Sequence, residues 1–188
     1  SVLEMNMKEG NKEEWKGEGG IGLISSRFTL EGPLKKGKSS VLLSGRRTYA
    51  DLILRPVLAA MDAENVGYYF YDFNAKVNYD FGRKNKLYLS GYFGKDKFYY
   101  KENDEYVKDN VGFLWGNATG TLRWNHLFTN KLFSNTSLIF SRYNYNLGVP
   151  GNSADQFDWT SQISDYNFKQ DFTAVLPLEL FREEGGTG

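Results

Sequence analysis

The sequence predicts an all-β fold, an antiparallel transmembrane β-barrel segment of about seven or eight meandering strands. Three observations predict it. Apolar and polar side chains alternate with a period of two over long stretches. Short and long connections alternate between those stretches. Aromatic residues gather at both ends of them.

Trp15 to Glu31 and Ser39 to Thr48 read as the first strands, joined by a turn over 32–38 that begins at Gly32-Pro33. Residues 50–63 read as a short helix within a longer connection, started or broken by Pro56. The cleanest strand runs from Tyr69 to Phe81. Its odd positions are Tyr69, Tyr71, Phe73, Ala75, Val77, Tyr79 and Phe81, and its even positions from Asp72 to Asp80 are polar. A helix would mix these two sets, whereas a strand separates them by face.

After the turn at 82–85, Lys86 to Phe98 repeats the pattern, with Leu87, Leu89, Gly91 and Phe93 on one face. A basic side chain at mid-depth in lipid costs about 2–4 kcal/mol. Lys95 is therefore expected at or beyond the rim. Gly112 to Phe128 places Leu114, Gly116, Ala118, Gly120, Leu122 and Trp124 opposite a polar set from Asn117 to Asn125. Leu132 to Asn146 follows the turn at 129–131, but Leu138 and Phe140 compete with Ile139 and Tyr143, so its apolar side is not assigned. Asp158 to about Leu176 is the last strand, with Tyr166, Phe168 and Phe172 on one face.

Short turns at 32–38, 82–85 and 129–131 alternate with longer connections at 49–68, 99–111 and 147–157. All long connections then fall at one end, as in outer-membrane barrels. Tyr79, Phe81, Trp124, Phe128 and Phe133 lie by short turns. Tyr68, Tyr69, Tyr71, Tyr99, Tyr100, Tyr143 and Tyr145 lie by long ones. The expectation is two aromatic belts, one for each membrane interface.

Composition agrees. Aromatics reach 16% although mean hydropathy is −0.54, as suits a wall facing lipid on one side and water on the other. No window of 18 apolar residues exists for a membrane helix. Lys plus Arg and Asp plus Glu balance at 23 each, leaving no global field for nucleic acid. Cysteine is absent, which removes disulfides, thiol nucleophiles and Cys-based metal sites. Ser1-Val-Leu-Glu4 has neither the basic start nor the apolar core of a signal peptide.

Two glycine motifs match by letter and fail by context. Gly32-Pro-Leu-Lys-Lys-Gly-Lys-Ser39 has the spacing of a phosphate-binding loop, but Ser-Val-Leu-Leu-Ser-Gly follows it where a helix is required. Gly17-Glu-Gly-Gly-Ile-Gly22 has the dinucleotide spacing but leads into β-prone sequence. His126 is the only histidine and has no Cys or second His to share a metal; a place near a membrane interface is expected. Arg46-Arg47 suits a lumen or rim pair facing a barrel carboxylate or an anion. Asn103-Asp-Glu105 and Lys108-Asp109 form a polar loop without EF-hand spacing. The glycosylation patterns at Asn117 and Asn135 fall on predicted strands, and no modification is expected there. No convergent acid, base and nucleophile set points to an enzyme, and no catalytic, cofactor or metal residue is assigned.

Several stretches together resemble TonB-dependent outer-membrane receptors, especially those of Bacteroidetes type. Ser1-Val-Leu-Glu-Met-Asn-Met-Lys-Glu-Gly10 looks like the last plug strand. Gly20-Ile-Gly-Leu-Ile-Ser-Ser-Arg-Phe-Thr-Leu-Glu-Gly-Pro33 looks like an early barrel strand entering a periplasmic turn. Ser44-Gly-Arg-Arg-Thr-Tyr-Ala-Asp-Leu52, Tyr69-Phe-Tyr-Asp-Phe-Asn-Ala-Lys76 and Leu89-Ser-Gly-Tyr-Phe-Gly-Lys-Asp96 look like the next strands. Trp115-Gly-Asn117, Arg123-Trp-Asn-His126, Ser134-Asn-Thr-Ser137 and Ser141-Arg-Tyr143 continue the series, so the likeness covers residues 1–172.

The resemblance implies residues 1–13 as the end of a plug, 14–176 as the first part of a larger barrel of about 22 strands, and 177–188 as an irregular tail. It implies a place in the bacterial outer membrane and uptake of an iron chelate, cobalamin, glycan or peptide. The implied partners are outer-membrane lipid, TonB acting through a plug and TonB box that these residues lack, a nutrient ligand and a surface lipoprotein. A self-contained eight-stranded outer-membrane barrel and a soluble ligand-binding β-barrel stand as alternatives.

Overall fold

A computed structural model of the chain describes residues 8–49, 66–101, 110–149 and 157–175, with residues 53, 56, 59 and 60 between. Its strands are β1 (Lys16–Ile21), β2 (Ser25–Lys35), β3 (Ser39–Thr48), β4 (Val66–Asp80), β5 (Asn85–Lys101), β6 (Asn110–Thr129), β7 (Leu132–Val149) and β8 (Phe157–Ala174). They form one antiparallel sheet in sequence order, β1 to β8. The sheet is an open β-barrel segment: β1 and β8 are its two edges and do not pair with each other.

Most of the expected strands are present; β3 matches, β4 to β7 extend one to three residues past the expected bounds at one or both ends, and β4 and β8 stop one and two residues short, at Asp80 and Ala174. Two boundaries differ further. Trp15 to Glu31 is not one strand but the hairpin β1–β2, bent at 22–24, where the Gly22 N–H donates to the Ser25 carbonyl at 2.8 Å. The turn expected over 32–38 is confined to 36–38, because β2 continues through Gly32 and Pro33 to Lys35. Pro33 pairs with Ser40 of β3 beside the register shift at 33–35 and beyond the reach of β1, a bulge position in which proline is tolerated. Gly37 and Gly82 take φ of +71° and +115° in their turns, backbone that side-chain-bearing residues rarely adopt.

Connections alternate as expected from β2 onward. Those at 36–38, 81–84 and 130–131 lie at one end; those at 49–65, 102–109 and 150–156 lie at the other. The short β1–β2 bend is the exception at the long-connection end. Of the helix expected within 50–63, residues 53, 56, 59 and 60 are helical, and Ile53 N–H donates to the Tyr49 carbonyl at 3.3 Å. The rest of that span, the polar loop at 103–109 and residues 1–7 and 176–188 lie outside the described residues.

No dry core forms among the described residues. Leu42 is the one buried hydrophobic side chain, while large apolar residues such as Phe28, Phe73, Leu89, Leu122 and Phe168 are exposed. A soluble sandwich or barrel would bury such a set. Here Phe28, Phe73, Leu89, Leu122 and Phe168 lie on one face of a single layer.

Candidate functional site: a wall with two faces

The pairing register assigns every described strand position to a face. One row across the sheet reads Val41, Val77, Leu89, Leu122, Leu138, Phe168. The next reads Leu30, Leu43, Ala75, Gly91, Gly120, Phe140, Tyr166. This settles the strand whose faces were ambiguous. Leu138 lies opposite Leu122, and Phe140 opposite Gly120, so they belong to the apolar face and Ile139 and Tyr143 to the other. Glycines keep this surface level where large rings lie over it. A Cβ on Gly45 would come within 2.5 Å of the Phe28 ring, and one on Gly32 within 2.2 Å of Trp15.

Toward the long connections the apolar face becomes mixed: Tyr71 aligns with Lys95, Gly116, Asn144 and Gln162. Lys95 lies on this face, the next position beyond Phe93 toward the long connections.

The opposite face is polar through its lower and middle parts. Asn78 Nδ2 donates to Ser40 Oγ at 2.6 Å, and Arg46 grips Asp72 with Nε at 2.8 Å and Nη2 at 2.7 Å. Of the adjacent arginines, Arg46 thus meets a wall carboxylate, while Arg47 lies on the other face, 5.9 Å from the Tyr69 ring centre. Residues 8–14 cross the polar face near the short turns. Lys8 pairs with Glu31 at 2.7 Å, Glu9 with Lys76 at 2.9 Å and Lys12 with Asp80 at 2.6 Å. Gly10 lies so close that a Cβ would meet the Val41 carbonyl at 2.5 Å. The Gly37 N–H donates to the Lys12 carbonyl at 2.9 Å. Alternating charges on the segment match alternating charges on the wall, and the fit fixes its path.

The aromatic belts are only partly as expected; even at the short-turn end Phe133 pairs with Leu127 on the polar face. At the short-turn end, Trp124, His126 and Phe128 share the apolar face, with ring centres 5.4 and 4.4 Å apart. Asn85 Oδ1 accepts from Trp124 Nε1 at 3.1 Å and contacts His126 Nδ1 at 2.7 Å. At the long-connection end the rings divide. Tyr69, Tyr71 and Tyr99 take the apolar face, but Tyr68, Tyr143 and Tyr145 take the polar face by register. The side chain of Tyr100 lies outside the description.

On that polar face the sheet reverses character. The row Tyr68, Phe98, Phe113, Leu147, Trp159 is wholly apolar or aromatic. Behind it, the neighbouring row of the other face reads Tyr69, Lys97, Leu114, Asn146, Thr160. Sequence reasoning missed this inversion.

Both glycine motifs lie on strands, Gly17–Gly22 in and after β1 and Gly32–Ser39 across β2, its turn and β3, so neither opens a helix. Asn117 and Asn135 are on β6 and β7. Among the described residues no cluster of metal-ligating side chains occurs. The fold and this two-faced wall define the class: an all-β barrel segment. No family model, no curated protein and no solved structure matches the chain.

Proposed function

We propose that the chain is part of a TonB-dependent outer-membrane transporter, its apolar face against lipid and its polar face toward the lumen, taking part in energised uptake of a nutrient. It is inactive as a transporter by itself. The observation that carries the reading is the continuous apolar face on an unclosed, up-and-down sheet whose opposite face is crossed by a charged, ion-paired segment. The strand resemblance supplies the particular family. Under it, residues 8–13 are the end of the plug where it joins the wall, and the long connections face the outside of a bacterial outer membrane.

Edge lengths favour a larger barrel over closure at eight strands. β1 has six residues and β8 has 18, so β1 satisfies only a third of the β8 edge. The test is to read the coding sequence on both sides. A plug upstream and roughly fourteen further strands downstream are expected; a signal peptide directly before Ser1 and a stop directly after Gly188 would overturn the transporter reading. A second measurement addresses the membrane itself. Single cysteines at 114–124 in lipid vesicles should react with a water-soluble maleimide at odd positions only.

A further inference from the structure

We infer that the apolar face, toward the long connections, holds phosphate-bearing lipid through Arg47, Lys95, Lys97 and Arg142. The inference rests on the reading above in taking this face as the lipid side. Register sorts the strand charges by sign. Asp158 is the one carboxylate at a strand position on the apolar face, and there it accepts from Asn146 Nδ2 at 2.7 Å; the others, Asp72 and Asp96 among them, take the polar face. Lys95-Asp96-Lys97 shows the sorting within three residues. The acid turns to the polar face, where it accepts from the Tyr68 hydroxyl at 3.0 Å, and both lysines turn to the apolar one. Arg46-Arg47 divides in the same way, and Arg142 follows Phe140 on the apolar face, opposite Ala118. Among the described residues no carboxylate pairs with any of these four cations. Three of them rest beside rings instead: Arg47 5.9 Å from the Tyr69 ring centre, Lys97 5.8 Å from that of Tyr99 and Arg142 5.7 Å from that of Phe140. A ring takes one side of a cation and leaves N–H groups for an acceptor from outside the chain.

Depth and sign select the occupant. A cation facing lipid is costly at mid-depth and nearly free of penalty at the boundary of the hydrocarbon. From Tyr79, by the short turn, to Tyr71 is eight residues along β4. They rise about 27 Å along the strand, or about 21 Å vertically at a tilt near 40°. In an apolar band about 25 Å tall, the cations flanking Tyr71 reach the far boundary, where lipid phosphates lie. Arg47, Tyr71 and Lys95 stand in one row across β3, β4 and β5, and Lys97 pairs with Tyr69 one step further on. Alternate strands are about 10 Å apart. A phosphate over Tyr71 therefore meets a guanidinium fork on one side and two ammonium groups on the other. Beside Arg47, Phe28, Gly45, Tyr71 and Phe73 line a hollow, an apolar seat for an acyl chain of the same lipid.

The test reads which lipid lies beside the cations. In the full chain all four tryptophans are replaced by Phe, and Phe93→Trp supplies a single reporter next to Lys95 on the same face. A second variant keeps Trp124 alone. Both are placed in vesicles of brominated phosphatidylcholine to which unbrominated phosphatidic acid is added in steps. Brominated phosphatidylcholine by itself should quench both reporters. Phosphatidic acid should relieve the quenching of the Phe93→Trp reporter beyond simple dilution, with a preference of at least about fivefold, the gain from one cation at a charged surface. Adding Arg47→Gln, Lys95→Gln, Lys97→Gln and Arg142→Gln should reduce the relief to dilution. A Leu114→Trp reporter, opposite Lys97, repeats the reading should the Phe93→Trp chain not insert. Three results overturn the inference and leave the membrane reading standing. They are relief no greater than dilution, relief unchanged by the four substitutions, and quenching lost as the ratio of chain to lipid rises, which would put second copies on this face. Absence of bromine quenching at Trp124 and at the introduced reporters overturns both.

Discussion

Leu122→Arg against Thr121→Arg compares the two faces at one depth. Leu122 lies between Leu89 and Leu138 on the apolar row, and Thr121 between Ser90 and Ile139 on the other face. Phe128, by the short turn, is six residues away along β6. Six residues rise about 20 Å along a strand, or about 15 Å vertically at a tilt near 40°. With the apolar face against lipid as proposed, in a band about 25 Å tall, Leu122 is close to mid-depth. Arginine there costs about 2–4 kcal/mol, which lowers the folded-to-unfolded ratio about 30- to 700-fold. Thr121→Arg, facing water, should stay within about 0.5 kcal/mol. The assay is reversible urea unfolding in lipid vesicles, followed by Trp emission. Equal shifts for the two variants, or a larger shift for Thr121→Arg, would refute the assignment of faces.

Three further substitutions probe how the N-terminal segment and the glycines are seated. Lys12→Glu should cost about 1 kcal/mol or less, since both side chains of its pair are partly exposed. It should speed proteolysis within 8–15, and adding Asp80→Lys should restore protection. Gly10→Ala should displace the segment outright, because the new methyl would meet backbone at Val41 rather than a movable side chain; protease nicking at Lys8 and Lys12 reads this. Gly32→Ala drives a Cβ into the Trp15 ring and should cost about 1–3 kcal/mol. In a Trp15→Ala background the same change should cost less than about 0.5 kcal/mol, as a double-mutant cycle in urea would show.

The strands around Tyr69 to Phe81, Leu87 to Phe93 and Leu114 to Trp124 were legible because each carries its own unbroken alternation. β7 was not, because Leu138, Ile139 and Phe140 are consecutive apolar residues, and only the partners Leu122 and Thr121 decide between them. The β1–β2 hairpin was hidden by its bend: Leu23 and Ile24 are apolar yet 81% and 59% exposed, so no polar turn signal marks them. The row of rings on the polar face was within reach. Tyr68 shares parity with Asp72, and Tyr143 and Tyr145 are out of phase with Leu138 and Phe140. Counting rings by height without asking their phase merged two surfaces into one belt. What sequence alone does not contain is the register between strands, and that register alone aligns Phe98, Phe113 and Trp159 into a row.

The free edge of β8 carries the remaining argument. About nine of its 18 residues turn their N–H and C=O outward, and in lipid each unpaired group costs several kcal/mol. β1 would satisfy about three of them. Pairing two copies through β8 about a two-fold axis across the sheet would satisfy the whole edge. It would also invert one copy, placing its acidic long connections where the other has basic turns, so one set of loops would have to cross the bilayer. A strand running from the short-turn end toward the long connections avoids both penalties, provided its apolar residues fall opposite Tyr166, Phe168 and Phe172. A synthetic strand with that alternation, added during refolding, should raise the yield of vesicle-inserted, protease-resistant chain. The same composition shifted by one residue should not, because the slip would turn its apolar set to the polar face. Equal rescue by both peptides would show that the edge is being covered without register, and would remove the case for a further strand beside β8.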